Sequence, residues 1–184
     1  MKNKIIFTVI MTFGWISLLV SCSSMPEKAE PVKNFNINKY LGTWYEIARF
    51  DYRFEKDLDN AMAQYSLNSD GSVHVVNSGY HVKKNKWVSA EGTAKFREDK
   101  NTAALKVSFF GPFYAGYNVV ALEDYKYALV AGKNLEYLWI LSREKSIPEN
   151  IKDCFIGKAR EIGYDTSKLI WVSQDKKSPF EKKQ

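Results

Sequence analysis

Side chains suited to metal or nucleophilic chemistry are scarce in this sequence: His74 and His81 are its two imidazoles, and Cys22 and Cys154 its two thiols. The histidines are seven apart on one predicted strand, so alternation turns them to opposite sides and regular strand geometry cannot bring both to one metal ion. Cys154 has no histidine near it in sequence to take its proton. A Gly-x-Ser-x-Gly elbow, a His-Glu-x-x-His pair and a phosphate-binding glycine loop are all missing from the sequence. No catalytic residue, metal or cofactor is expected, and the chain reads as a non-enzyme.

Cys22 stands apart because of what precedes it. Lys2 and Lys4 give a positive start, Ile5 to Val20 is apolar apart from Thr8, Thr12, Gly14 and Ser17, and small Ser21 stands before the cysteine. That order is the grammar of a secretory signal peptide. Leu19-Val20-Ser21-Cys22 resembles the lipobox of bacterial lipoproteins, in which the cysteine sulfur receives a diacylglycerol, the preceding peptide is removed and the freed amine is usually acylated. A membrane-spanning anchor is the rival reading, but the run falls short of the roughly 20 residues that a bilayer core requires. Glu27, Lys28 and Glu30 after it are mixed in sign rather than Lys/Arg-rich. Each buried methylene contributes about 0.8 kcal/mol, so a triacylated terminus would hold firmly. The lipoprotein resemblance implies the bacterial outer membrane, since Ser23 rather than Asp follows the acceptor cysteine, and the periplasmic leaflet is expected over the surface.

The chain thus divides into a signal peptide (1–21), a lipidated tether (22–33), a folded domain (34–175) and a basic tail (176–184). Pro26, Pro31, four charges and little apolar content in the tether predict that it stays unfolded, with a reach of at most about 35 Å. The formal charge of +6 drops to +4 without Lys2 and Lys4, and the bases are scattered outside Lys176-Lys177 and Lys182-Lys183, which argues against a nucleic-acid partner. With Cys22 lipidated, Cys154 has no disulfide partner and is expected to pack as a small apolar residue.

The elements that must position everything else are strands. Eight β-rich segments, roughly 43–50, 61–67, 73–80, 87–96, 103–109, 117–122, 127–130 and 137–142, are separated by turn signals such as Asn68-Ser69-Asp70-Gly71, Gly111-Pro112 and Gly132-Lys133-Asn134. Links this short make consecutive strands antiparallel neighbours, and eight of them remove their edges most economically by closing into an up-and-down barrel. One helix follows: Ser146 and Glu149 have capping-box spacing around Pro148, and Ile151, Phe155, Ala159 and Ile162 make an apolar stripe ending at Gly163. The expected fold is all-β: an eight-stranded antiparallel up-and-down barrel, or calyx, with one C-terminal α-helix packed outside and a short extra strand at 169–172 beside the helix.

Closure makes the first and eighth strands antiparallel neighbours, so Trp44 must approach Arg143. A guanidinium over an indole is a cation–π contact of about 0.5–2 kcal/mol, and it would cap one end of the barrel. The turn 123–125 falls at that end, while 51–60, 81–87, 109–117 and 131–135 fall at the other. Asn38-Lys39-Tyr40-Leu41-Gly42-Thr43-Trp44-Tyr45-Glu46 carries a Gly-x-Trp core, Asp124-Tyr125 a second signature's end, and Arg143 a third signature's arginine. With these three in order over 34–172, the sequence resembles the lipocalin family. Tyr45 to Arg49, 104–113 and 137–143 are similar to its bacterial members.

That resemblance implies a barrel enclosing one small ligand. Alternation puts Trp44, Glu46 and Ala48 on one face and Tyr137, Trp139, Leu141 and Arg143 on one face, both taken as inward; the family register adds Asn118, Val120 and Leu122. The expected ligand-binding set is therefore Glu46, Ala48, Asn118, Val120, Leu122, Tyr137, Trp139 and Leu141, unless these residues merely fill the barrel. A carboxylate such as Glu46 in that setting needs a partner or a proton, and its partner is expected to be structural. A mostly apolar lining suits an acyl chain with its head near the mouth, so fatty acid or lysophospholipid is the expected partner class. The expected role is envelope lipid storage, transfer or repair. A lipid-modifying enzyme and an interaction protein with a filled barrel are the alternatives. At the mouth, Phe110, Phe113 and Tyr114 are too aromatic for an ordinary hairpin tip, and an acyl ligand, a second copy of the chain (a homodimer) or the bilayer could cover them. Arg53, Lys56, Lys83, Lys84, Lys86 and Lys133 ring the same mouth, diluted by Asp51, Glu55 and Asp57.

Overall fold

The computed structural model describes residues 24–181. The expected lipidation site at Cys22, the signal segment 1–21 and the end of the basic tail (182–184) lie outside the described residues. Nine strands make a single sheet: β1 (Gly42–Phe50), β2 (Leu58–Leu67), β3 (Val73–His81), β4 (Lys86–Phe96), β5 (Ala104–Phe110), β6 (Phe113–Glu123), β7 (Tyr127–Ala131), β8 (Leu138–Ser142) and β9 (Leu169–Trp171). Each of the first seven pairs antiparallel with the next, and β1 pairs with both β2 and β8, closing the expected barrel. A one-turn helix the sequence reading did not include, α1 (Ile37–Tyr40), precedes β1, and α2 (Glu149–Ile162) follows β8.

The seam at β1 is composite. Its first half, Gly42 to Tyr45, pairs with β2, while Ala48 to Phe50 have lost β2 and pair with β9 instead. The extra strand is therefore spliced into the barrel wall rather than merely lying beside the helix. Gln174 Nε2 bridges the split, donating to the carbonyls of Glu46 and Ala61 at 2.8 Å each. The chain then continues along β2, where the Lys176 N–H donates to Asn60 Oδ1 at 2.7 Å. The first part of the basic tail thus lies against the barrel.

Two β-bulges redirect the faces. On β1 the register shifts between Glu46 and Ala48, so one extra residue is accommodated and both Ile47 and Ala48 turn outward; the side chain of Arg49 then points inward, toward Glu46. On β6 the shift lies between Val119 and Ala121, turning Val120 outward as well. A bulge adds a residue without changing composition, and every side chain beyond it changes face.

Outside the barrel, Phe155, Ala159 and Ile162 of α2 pack on Ile47, Ala48, Val120, Leu129, Leu138 and Ile140, a contact in which each fully buried large side chain contributes about 1.5–3 kcal/mol. Gly163 ends the helix with φ +112°, a left-handed conformation that favours glycine. At the other end Pro148 is the N-cap and makes no side-chain cap bond, so the expected Ser146 capping box does not form. Cys154 is exposed rather than packed; it sits one residue before Phe155, about 100° round the helix from the buried stripe.

The segment 24–33 is also ordered against the barrel, contrary to the unfolded tether expected. Val32 N–H donates to the Val119 carbonyl at 2.9 Å, the Ala103 N–H to the Val32 carbonyl at 2.9 Å, and Ala29 is buried. Lys33 bridges Thr102. Composition misled because the attachment is largely main chain, which a shortage of apolar side chains does not prevent.

Candidate functional site

One end of the barrel is shut. Trp44 is fully buried, donates its indole N–H to the Tyr40 carbonyl at 2.8 Å, and lies with its ring 3.9 Å from the Arg143 guanidinium carbon. That guanidinium also donates to the carbonyls of Thr43 (2.7 Å), Lys39 (2.9 Å) and Tyr125 (3.2 Å), tying β1, α1 and the β6–β7 turn together. Gly42, at φ +95°, lets the chain turn from α1 into β1 directly beneath it.

Above this plug the barrel is hollow. A cavity of about 670 Å³ opens between the loops at the other end, a volume typical of small-molecule sites. Its walls are mostly apolar, with Met62, Val73, Val75, Leu105 and Val107 among the lining residues. Its floor carries three tyrosine hydroxyls: Tyr117 Oη lies 2.8 Å from Tyr40 Oη and 3.0 Å from Tyr65 Oη. Burial pushes the phenols of Tyr40 and Tyr117 well up and that of Tyr65 to about 12, so all three stay neutral at physiological pH.

One wall near the mouth holds a charged cluster. Arg49 donates to Glu46 Oε1 at 2.9 Å and to the carbonyls of Glu55 (2.9 Å) and Leu58 (2.8 Å), and its Nε lies 3.6 Å from Glu55 Oε2. Trp139 Nε1 donates to the same Glu55 oxygen at 3.1 Å. Two buried carboxylates share one guanidinium. Burial, then the neighbouring Glu55, raises the Glu46 carboxyl well above its usual range, with Arg49 opposing. Burial likewise raises Glu55, against Trp139 and Arg49. Arg49 is thus the structural partner that Glu46 was expected to need.

The expected ligand-binding residues divide into two sets. Glu46, Tyr137, Trp139 and Leu141 line the cavity, and Phe110, Phe113 and Tyr114 stand at its mouth. Ala48 and Val120 do not: the two bulges turn them out against α2. Asn118 also faces away, beneath the N-terminal segment, where its amide donates to the carbonyls of Ser24 (3.0 Å) and Ala131 (3.1 Å). Leu122 faces in but belongs to the plug around Trp44, below the cavity. Tyr117 takes the place on β6 assigned to Asn118. Arg49, Tyr52 and the hydroxyl floor were missed. For Arg49 a signal existed, since two apolar residues between Glu46 and Arg49 leave a charge on each face of a regular strand, whereas a bulge lets the charges meet.

Among the described residues, no group of three or more His, Cys, Asp or Glu side chains is placed to hold a metal ion. A barrel shut at one end, hollow, apolar within and rimmed by aromatic rings defines a cup-shaped binding protein for small hydrophobic molecules. The lipocalin-like domain model matches residues 35–174, and the chain belongs to the lipocalin family, whose members bind such ligands. It is 52% identical over 160 residues to the outer membrane lipoprotein Blc of Citrobacter freundii, covering 85% of this chain and 90% of that one. To the Blc of Vibrio cholerae it is 48% identical over 159 residues, covering 85% and 93%. Among solved structures, insecticyanin from the tobacco hornworm Manduca sexta shares the fold, with a TM-score of 0.66 at 23% identity over 79% of this chain and 84% of that one.

Proposed function

We propose that this lipocalin is a lipid-anchored carrier that holds a fatty acid or lysophospholipid in its barrel and serves storage, transfer or repair of envelope lipid. The observation that carries the reading is the apolar cavity of about 670 Å³, open at one end only. An acyl chain entering it gains roughly 0.8 kcal/mol per methylene buried, while its polar head remains at the mouth. The anchor is acylated Cys22, and the outer membrane, by its periplasmic leaflet, is the location; the names of the bacterial relatives, outer membrane lipoproteins, support that placement. Binding rather than turnover is the activity, for the two carboxyl groups that line the cavity, those of Glu46 and Glu55, are engaged with Arg49 and Trp139.

Organic extraction of the purified protein followed by mass spectrometry tests this. An acyl lipid is expected in near-stoichiometric amount, retained unaltered when the protein is incubated with phospholipid. Failure to recover or titrate any acyl lipid would sink the carrier reading, and release of hydrolysed product with turnover would replace it with an enzyme.

A further inference from the structure

The three hydroxyls on the cavity floor cannot satisfy one another. Tyr40, Tyr65 and Tyr117 carry one O–H proton each, and two hydrogen bonds join their oxygens, Tyr117 to Tyr40 at 2.8 Å and Tyr117 to Tyr65 at 3.0 Å. Each bond uses one proton, so whichever way the bonds run, one proton is left over. Among the described residues no other hydrogen-bond partner reaches any of the three oxygens. Lone pairs are left over as well, since each hydroxyl oxygen can accept twice. Packed Trp44 lies beneath, and all three tyrosines line the cavity, so the cavity is where the spare proton meets an acceptor.

The rings hold this arrangement in place before any ligand arrives. Tyr40 packs with its ring centre 4.7 Å from that of Trp44 and stacks on Tyr65 at 5.7 Å, and Tyr65 meets Tyr117 edge to face at 6.2 Å. Hydroxyls fixed in this way need little ordering on binding.

Depth decides which part of a ligand meets them. Tyr117 is four residues along β6 from Phe113, about 14 Å below the rim. A headgroup held at the mouth stays above that level, so the floor receives the remote end of the acyl chain. A methyl terminus there leaves the spare proton without an acceptor in apolar surroundings, which disfavours binding. A carboxylate would set a full charge against neutral hydroxyls with one free proton among them. An alcohol accepts that proton and donates its own to a free lone pair, so it matches both halves of the floor.

The wall carries a second unmatched group. Asn77 lines the cavity, and its amide oxygen is buried with no hydrogen-bond partner. It stands two residues along β3 from Val75, which pairs with Tyr65, so it lies about 7 Å above the floor on the way to the mouth. A plain hydrocarbon chain passing it satisfies neither place.

We propose that the tyrosine floor is a subsite for a hydroxyl group, so that the ligand is an acyl lipid oxygenated at the end remote from its head. This deepens the carrier reading and rests on it.

The test compares ω-hydroxypalmitate with palmitate, each displacing a fluorescent fatty acid from the purified protein. The hydroxy acid is expected to bind severalfold tighter, the effect of one added hydrogen-bonded pair. In the variant Tyr40→Phe/Tyr65→Phe/Tyr117→Phe the rings remain and the hydroxyls go, so the preference should reverse: an alcohol buried without a partner should make the hydroxy acid bind about tenfold more weakly than palmitate. Equal affinities in the parent, as when a water keeps the floor or a fatty acid enters head first, overturn the subsite and leave the carrier reading standing. A preference for the hydroxy acid that survives in the variant overturns the subsite too. Should the variant fail to fold, the comparison in the parent decides. Binding of neither acid overturns the carrier reading itself.

Discussion

Arg143 offers the sharpest separation of the two ends of the barrel. Replacing it with methionine keeps an apolar stem over Trp44 and deletes the guanidinium. The cation–π contact at 3.9 Å is worth about 1–2 kcal/mol. The three carbonyls it binds, those of Thr43, Lys39 and Tyr125, lie in a half-exposed setting, where each charge-assisted bond contributes about 1 kcal/mol after water replaces what it can. Arg143→Met should therefore cost about 4 kcal/mol, a large share of the roughly 5–15 kcal/mol typical of a domain, and lower Tm by about 10 °C in a chain of this length. Urea denaturation followed by tryptophan fluorescence measures it, with the slope unchanged if both folded and unfolded states are preserved. Arg143→Lys retains a cation and one carbonyl bond, so it should recover about half. Affinity for a fluorescent fatty acid at 25 °C should stay within twofold of the parent, because the cavity lies beyond the plug. A loss under about 1 kcal/mol, full recovery by lysine, or a collapse of affinity in a still-folded protein would each refute the assignment of Arg143 to closure alone.

Trp139→Asp removes the donor to Glu55 and adds a third carboxylate beside one guanidinium, so acyl binding should weaken at least about tenfold, the equivalent of two methylenes, while circular dichroism still shows the β-fold; unchanged affinity would mean Trp139 does not contact the ligand. Glu46→Gln tests the buried charge through pH. Burial raises the folded carboxyl above its unfolded value near 4.5, so the folded state holds the extra proton, and stability falls as pH rises from there through the folded value. The variant should match the parent in Tm at pH 4 and exceed it increasingly toward pH 8, whereas a parallel pair of curves would show that Glu46 is ionised in both states. Exposed Cys154 should react with maleimide in the native protein with no change in Tm; protection until unfolding would return it to the packed position that the sequence suggested.

Sequence patterns disclosed the barrel because each strand is bounded by turn chemistry, and closure follows from counting: Trp44 and Arg143 meet because the first and last strands of an antiparallel ring must. What alternation could not reveal was where it breaks. Ile47 and Val120 are ordinary strand residues, yet each stands at a bulge, and those two insertions turned Ala48 and Val120 to the helix. Leu122 kept its inward face, but facing in is not lining: depth along the barrel, set by the tilt of the strands, decides between plug and cavity. Asn118 faces outward beneath a segment whose attachment is main-chain hydrogen bonding, and nothing in the composition of 24–33 marks that. The charged wall was half legible, since Glu46 demanded a partner but its provider came from beyond the bulge.

The composite seam also dictates an order of assembly. β1 is among the first strands made, but its partners β8 and β9 lie about a hundred residues or more further along the chain. Until they arrive, the growing meander is an open ribbon with its β1 edge half unpaired, a template for strand-to-strand aggregation. Contacts so distant in sequence are slow to close. The last strand, with Gln174 laid across the gap between β1 and β2, acts as a fastening put in last, so a chain truncated before residue 169 would keep all eight strands of the meander and still expose the edge that makes it aggregate.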